Sequence, residues 1–237
     1  MNKWFGLKGL AVGLGLIILV IVVALFLIDG IIEKNVEKYG TQAVGAMPFD
    51  VQELQPDALI VAGYKWLLGP YSIGVGYFGP RFQDGQPLEE TWIGREGSED
   101  FKNLVDYQET YQPGAIRFDV GERSNFILVP MLLEALRLIL EWDPARIQAY
   151  TRNLSIGLLD EARSLGYRLE SEEFRAGHLF GIRMPDGLSV ETVREALEQE
   201  RVFTSLRGSA LRVSPQVYND QDDVDALARA LRSAVGG

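Results

Sequence analysis

The sequence predicts an α/β protein preceded by one membrane-spanning helix, and three observations lead there. Leu10–Ile28 is a run of nineteen residues without a charge. From Met47 onward, short apolar runs alternate with segments of helical period, the pattern of strands and helices packed in layers. A hydrophobic fraction of 47% in 237 residues is enough for one large or two small cores.

The elements follow in order. Residues 1–9 are a flank, and at 1.5 Å per residue the helix 10–28 covers about 28 Å, close to the roughly 30 Å hydrocarbon core. It is longer than the roughly 7 to 15 apolar residues of a signal peptide and no Ala-x-Ala site follows, so it reads as an uncleaved anchor. Lys3 and Lys8 precede it and Lys34 and Lys38 follow. The terminal amine tips that balance toward an inside N-terminus. Residues 29–40 extend the helix, with Ile31, Ile32, Val36 and Tyr39 on one face.

The remainder divides into 41–142 and 143–237. Asp57–Ala62 reads as a buried strand ending at a loop around Lys65, and Gly74–Phe78 as the next strand. Leu88–Phe118 reads as loop. Asn125–Trp142 reads as a helix whose core face carries Ile127, Met131, Leu132, Ala135, Leu138 and Ile139. Asp143-Pro144 supplies an N-cap and a first-turn proline, so a new helix and a new domain begin there. Ile147, Tyr150, Leu154, Leu158 and Leu165 keep its period until Gly166 stops it. A strand at Leu179–Met184, a Ser189-capped helix through Val193 and Leu197, strands at Val202–Ser205 and Ala210–Val213, and a helix carrying Val224, Leu227, Ala228 and Leu231 complete a small α+β unit.

Composition excludes several chemistries. A net charge of −10 without clustered Lys and Arg argues against a nucleic-acid partner. There is no cysteine and one histidine, His178, which rules out a cysteine nucleophile and argues against a zinc site of several Cys or His ligands. A hydrolase triad would need His178, which reads as structural.

Lys65 is the one charge in the 23 residues Ala58–Pro80. An ammonium in such a run either reaches water along its own stem or is held as a neutral amine able to attack a carbonyl; Schiff-base chemistry suits the second outcome. Thr41-Gln42-Ala43-Val44-Gly45-Ala46, Asp57-Ala58-Leu59-Ile60-Val61-Ala62-Gly63-Tyr64-Lys65, Gly69-Pro70 and Ile73-Gly74-Val75-Gly76, with Arg207-Gly208-Ser209-Ala210-Leu211-Arg212-Val213-Ser214-Pro215 far downstream, together resemble the class V aminotransferases, a family that includes cysteine desulfurases and kynureninases. The resemblance implies the type I fold of pyridoxal phosphate (PLP) enzymes, with part of a large domain over 41–142 and the small C-terminal domain over 143–237. It implies PLP bound through a Schiff base at Lys65, with Thr41 and Gln42 contacting the cofactor, and an amino-acid substrate whose carboxylate Arg212 grips. It also implies a homodimer, toward whose neighbouring phosphate the segment Arg117–Asn125 would reach.

The match departs from the family in three places. Tyr39 stands where relatives carry an aspartate for the pyridine nitrogen, Glu122 stands where they often carry threonine, and the first half of the large domain is replaced by the apolar helix, which loosely resembles the anchor of AsmA-like envelope proteins. Without cysteine, the desulfurase branch is closed. Two functions follow as expectations: a membrane-anchored, incomplete PLP-dependent transferase of amino acids, or a non-catalytic anchored remnant or fusion of an envelope-protein anchor with an aminotransferase fragment.

Overall fold

A computed structural model describes Gly45 and residues 47–103, 105–106 and 108–236. The expected span Leu10–Ile28, its extension over 29–40, and Thr41 and Gln42 lie outside these residues. Among the described residues, no helix is long and apolar enough to cross a membrane. Two compact units divide the chain, one over Asp50–Arg137 and the other over Leu138–Gly237 with the stretch just before Asp50.

The first unit opens with a one-turn helix, α1 (Val51–Leu54), whose N-cap Asp50 accepts hydrogen bonds from the backbone N–H of Gln52 and Glu53. β1 (Ala58–Ala62) and β2 (Gly74–Phe78) then pair antiparallel in a two-stranded sheet, from Ala58 opposite Phe78 to Ala62 opposite Gly74. β1 is not the buried strand its composition suggests. Ala58, Ile60 and Ala62 face outward, and Ile60 is 72% exposed. A single hairpin covers one side of a strand at most, and Leu59, Val61, Val75 and Tyr77 on the other side are only half-buried.

The stretch after β2 is irregular, as its composition predicts, with 3-10 turns at Pro80–Phe82, Trp92–Gly94 and Gly114–Phe118. Polar side chains fix it alongside the stacking of Phe118 on Phe78 at 4.2 Å. The buried Gln112 amide donates to Ile93 O and Ser98 Oγ, each at 2.9 Å, and Ser98 Oγ donates to Ile93 O at 2.8 Å. Arg95 stacks on Tyr111 at 4.0 Å while pairing with Glu90.

α2 (Leu128–Trp142) follows, capped by Asn125, whose Oδ1 accepts from the N–H of Ile127 and Leu128. The helix is where its period places it, but its buried stripe is Leu132, Leu136 and Ile139. Ile127, Met131 and Leu138, expected in the core, are exposed. Periodicity locates an apolar face; it does not supply the layer that covers it.

The second unit is a closed two-layer structure. α3 (Pro144–Ser164) starts at Asp143, which accepts from Ala145 N, with Pro144 in the first turn. Gly166 ends it at φ +87°, and the N–H of Tyr167 returns to Ala162 O at 3.0 Å, the Schellman closure. Next come β3 (Arg168–Leu169), β4 (Phe180–Arg183), α4 (Val190–Gln199, capped by Ser189 Oγ on Thr192 N), β5 (Ser205–Arg207), β6 (Ala210–Val213) and α5 (Gln221–Gly236). The strand expected at Val202–Ser205 therefore lies about one turn later, because Arg201 takes φ +57° and Val202 N bonds Leu197 O, which keeps these residues in the helix terminus. All pairings are antiparallel in the order β3-β4-β6-β5. Phe180, Ile182, Leu211 and Val213 point inward to a core completed by Leu154, Leu158, Val193, Leu197, Leu227 and Leu231.

Candidate functional site

The loop between β1 and β2 is the candidate site, and its shape follows from three glycines. Gly63 N donates to Ile73 O at 3.0 Å, extending the ladder one step past β1, and Gly69 N returns to Gly63 O at 2.8 Å. A Cβ on Gly63 would lie 2.5 Å from Ile73 O, one on Gly69 2.6 Å from Leu132 Cδ1, and one on Gly74 2.8 Å from Val61 O. At Gly63 and Gly74 no other residue allows this closeness without moving backbone, and at Gly69 none does without displacing the Leu132 side chain. Within the loop, Lys65 O accepts from Leu68 N at 3.0 Å, Leu68 adopts φ +55° and Ser72 φ +67°, and Leu67 is buried to 2% exposure. Such φ values are uncommon outside glycine and persist only when the surroundings enforce them.

Lys65 stands on this constrained turn with its side chain exposed, the first of the two outcomes open to an ammonium in such an apolar run. The run is apolar because Gly63, Leu67 and Gly69 pack inward, while the lysine points away. Tyr64 and Tyr71 stack beside it with centroids 4.4 Å apart, and Lys65 Nζ lies 5.6 Å from the Tyr64 ring, within cation–π range. Sequence reasoning passed over this aromatic pair, for which the one signal was two tyrosines flanking a loop closed by glycine.

Arg212 lies in the second unit, on β6 between Gly181 of β4 and Ser205 of β5. Its neighbours Leu211 and Val213 are buried, so alternation sends Arg212 to the outer face of the sheet, where it is exposed. Thr204 Oγ1 donates to Arg212 O at 2.6 Å and fixes the backbone there. Arg183 and Arg207 share this outer face and were not singled out from the sequence, although the same alternation marks them. His178 is half-buried, and burial pushes its pKa below the ordinary histidine value, consistent with a structural role.

The segment Arg117–Asn125 is engaged locally. Arg117 Nε and Nη1 donate to the carbonyls of Gln112 and Gly85, and Arg123 pairs with Asp119 at 3.0 Å. Glu122 is exposed at φ +56°, and the preceding Gly121 N is bound by Glu89 Oε2 at 2.8 Å.

The residues present fit the covalent end of a PLP site. A primary amine is accessible to an aldehyde, and a loop whose backbone has little freedom holds it there. Among the described residues, no group of His, Cys, Asp and Glu is arranged to hold a metal ion.

Comparison with known proteins bears on the family and its cofactor. The family model for aminotransferase class V matches residues 39–227. Isopenicillin N epimerase of Streptomyces clavuligerus is 28% identical over 216 residues, covering 83% of this chain and 52% of that protein. An uncharacterized aminotransferase of Schizosaccharomyces pombe is 28% identical over 200 residues, covering 82% and 49%. Among solved structures, the cysteine desulfurase CsdA of Escherichia coli matches with a TM-score of 0.64 at 23% identity, over 83% of this chain and 50% of that one. An apo cysteine desulfurase of Thermococcus onnurineus matches at 0.61 and 20%, over 83% and 51%. At these identities the structural likeness is one of fold. The chain spans about half the length of the relatives it matches. With most of its length matched from Tyr39 to Leu227, and the fold of both units shared with such enzymes, the chain belongs to the aminotransferase class V family, whose cofactor is pyridoxal phosphate.

Proposed function

We propose that this chain is a PLP-dependent, class V aminotransferase-like domain acting at the α-carbon of an amino acid, tethered to a membrane by Leu10–Ile28 and incomplete as it stands. The observation that carries the catalytic part is the accessible amine of Lys65 on a glycine-locked loop, at the position where the family motif carries its lysine. Lys65 would hold the cofactor through Nζ, and the same amine would take up and return the proton at the substrate α-carbon. PLP, when bound, supplies an electron sink for the bond broken at that carbon. Gln42 and Thr41 would contact the cofactor, and Arg212 would hold the substrate carboxylate with its planar pair of donors. The sequence holds no cysteine to carry sulfur, so a desulfurase reaction is not proposed. Incompleteness is supported by the half-length match and by the outward-facing Ile60, Ile127 and Met131, which a fuller large domain or a homodimer partner would cover. Anchoring rests on the uncharged run Leu10–Ile28.

The test is a PLP titration of the detergent-solubilised chain. The expected result is a visible absorption band, trapped on Lys65 by borohydride and lost in Lys65→Ala. Retention of the same band and trapped adduct in that variant would overturn the assignment. The second reading, a non-catalytic remnant, is favoured by the exposure of Lys65 and of the outer face of β1. It predicts no band, and a melting temperature that PLP does not raise.

A further inference from the structure

We infer that the outer face of the β3–β6 sheet receives a small dicarboxylic acid, with Arg212 taking one acid group and Arg183 and Arg207 together taking the other. That this ligand is the substrate rests on the proposed role of Arg212; the binding surface itself does not. The register puts Arg183 and Arg207 on either side of Ala210, and Gly181 and Ser205 on either side of Arg212. Inward Ile182 and Leu211 are fully buried, and the three arginines are exposed, so all three rise from the same face. Arg212 stands two residues along β6 from Ala210, about 7 Å, a separation suited to the two ends of a short dicarboxylate. The floor between them is bare. A Cβ on Gly181 would find only Leu211 O, at 4.0 Å, and Ala210 carries a methyl group alone.

Charge argues the same way. Arg168, directly opposite Arg183, is neutralised by Asp186 at 2.6 Å. Arg183, Arg207 and Arg212 have no ion-pair partner among the described residues, in a chain with 33 acidic against 23 basic residues. Three like charges on neighbouring strands repel one another, and a dianion placed among them relieves that repulsion. Guanidinium forks, unlike ammonium groups, match the two oxygens of a carboxylate. With one fork at one end and two at the other, a ligand with a single acid group leaves at least one guanidinium unused.

The experiment is calorimetric titration of the full detergent-solubilised chain at constant ionic strength with glutarate, butyrate and inorganic phosphate. Glutarate is expected to bind at least about tenfold more tightly than butyrate or phosphate, as one added charge-assisted pair allows. The double variant Arg183→Gln/Arg207→Gln and the single variant Arg212→Gln are each expected to bring glutarate down to about the butyrate level measured in the same variant. The preference is a ratio measured within each folded variant, so a general loss of stability does not imitate it. Equal affinity for glutarate and butyrate, phosphate binding as tightly as glutarate, no glutarate binding, or a double variant that keeps the preference would each overturn the inference. PLP absorption on the same samples separates the two ideas. A chain that prefers glutarate but takes up no PLP defeats the enzymatic reading alone, and one that takes up PLP without the preference defeats only this inference.

Discussion

The β1–β2 hairpin and the β3–β6 sheet are both antiparallel, yet they spend their sequence differently. In the C-terminal sheet each inward side chain meets a helix layer, and Ile182 and Leu211 are fully buried. In the hairpin the close contacts are made by backbone, through glycines that approach a neighbouring carbonyl or methyl group, while Ile60 stands in solvent. One region is stabilised by apolar burial; the other is shaped by steric closeness and presents an exposed lysine. Rigid geometry with little core is suited to a site that needs a further surface to close over it.

The largest expected effect tests that contrast directly. Ile182→Ala or Leu211→Ala should cost about 2 to 5 kcal/mol in a urea or thermal melt of the chain. Ile60→Ala should stay within about 0.5 kcal/mol. An equal loss at Ile60 would show that the outer face of β1 is covered in solution, and the contrast would fail. Next in size is Gly63→Ala, whose new methyl group would sit against Ile73 O. Overpacking of this kind costs about 1 to 3 kcal/mol, and limited proteolysis should find the Lys65 loop opened while the C-terminal sheet stays intact.

A third test uses pH and touches the C-terminal unit alone. Tyr167 is buried, with its hydroxyl donating to Leu231 O at 3.1 Å, and burial pushes its pKa up to about 12 from 10.0. Below pH 10 the phenol is neutral in both folded and unfolded chains, so its contribution is fully present. Between 10 and about 12 the unfolded chain ionises first, and stability falls. Tyr167→Phe should flatten that part of the pH–stability curve, and an unchanged alkaline slope would remove Tyr167 as its cause. His178 acts at the other end. Its depressed pKa means that stability is present above the ordinary histidine value and is lost as pH falls below it.

The smallest effects separate the two regions again through their helix caps. Ser189→Ala removes the acceptor for Thr192 N on a ten-residue helix packed into the core and should cost about 1 kcal/mol in a thermal melt. Asp50→Ala uncaps a four-residue helix in the hairpin unit and should cost less, because so short a helix contributes little for its cap to protect.

Much of the local structure was legible in the residues themselves. Asp143-Pro144, Ser189 and Gly166 mark helix ends through side-chain acceptors, a fixed φ and a left-handed turn, and these act over four residues or fewer. The loop motif was legible too, since glycines at 63, 69 and 74 sit where a Cβ would strike backbone or a packed leucine. The burial of Lys65, the burial of β1 and the core face of α2 were not. Each depends on which surface arrives from elsewhere, and apolar content does not say whether one does.

Alone, then, the motifs of the sequence carried the family resemblance, and its patterning determined the order of strands and helices in the C-terminal unit apart from β3 and the place of the lysine between two strands, because short-range sterics and periodicity act along the chain. Tertiary structure decided that Lys65 faces solvent, that Leu136 rather than Met131 is buried in α2, and that Arg183, Arg207 and Arg212 share one face of one sheet. Those outcomes depend on pairing register and layer contact between residues far apart in the chain, which local patterning does not encode.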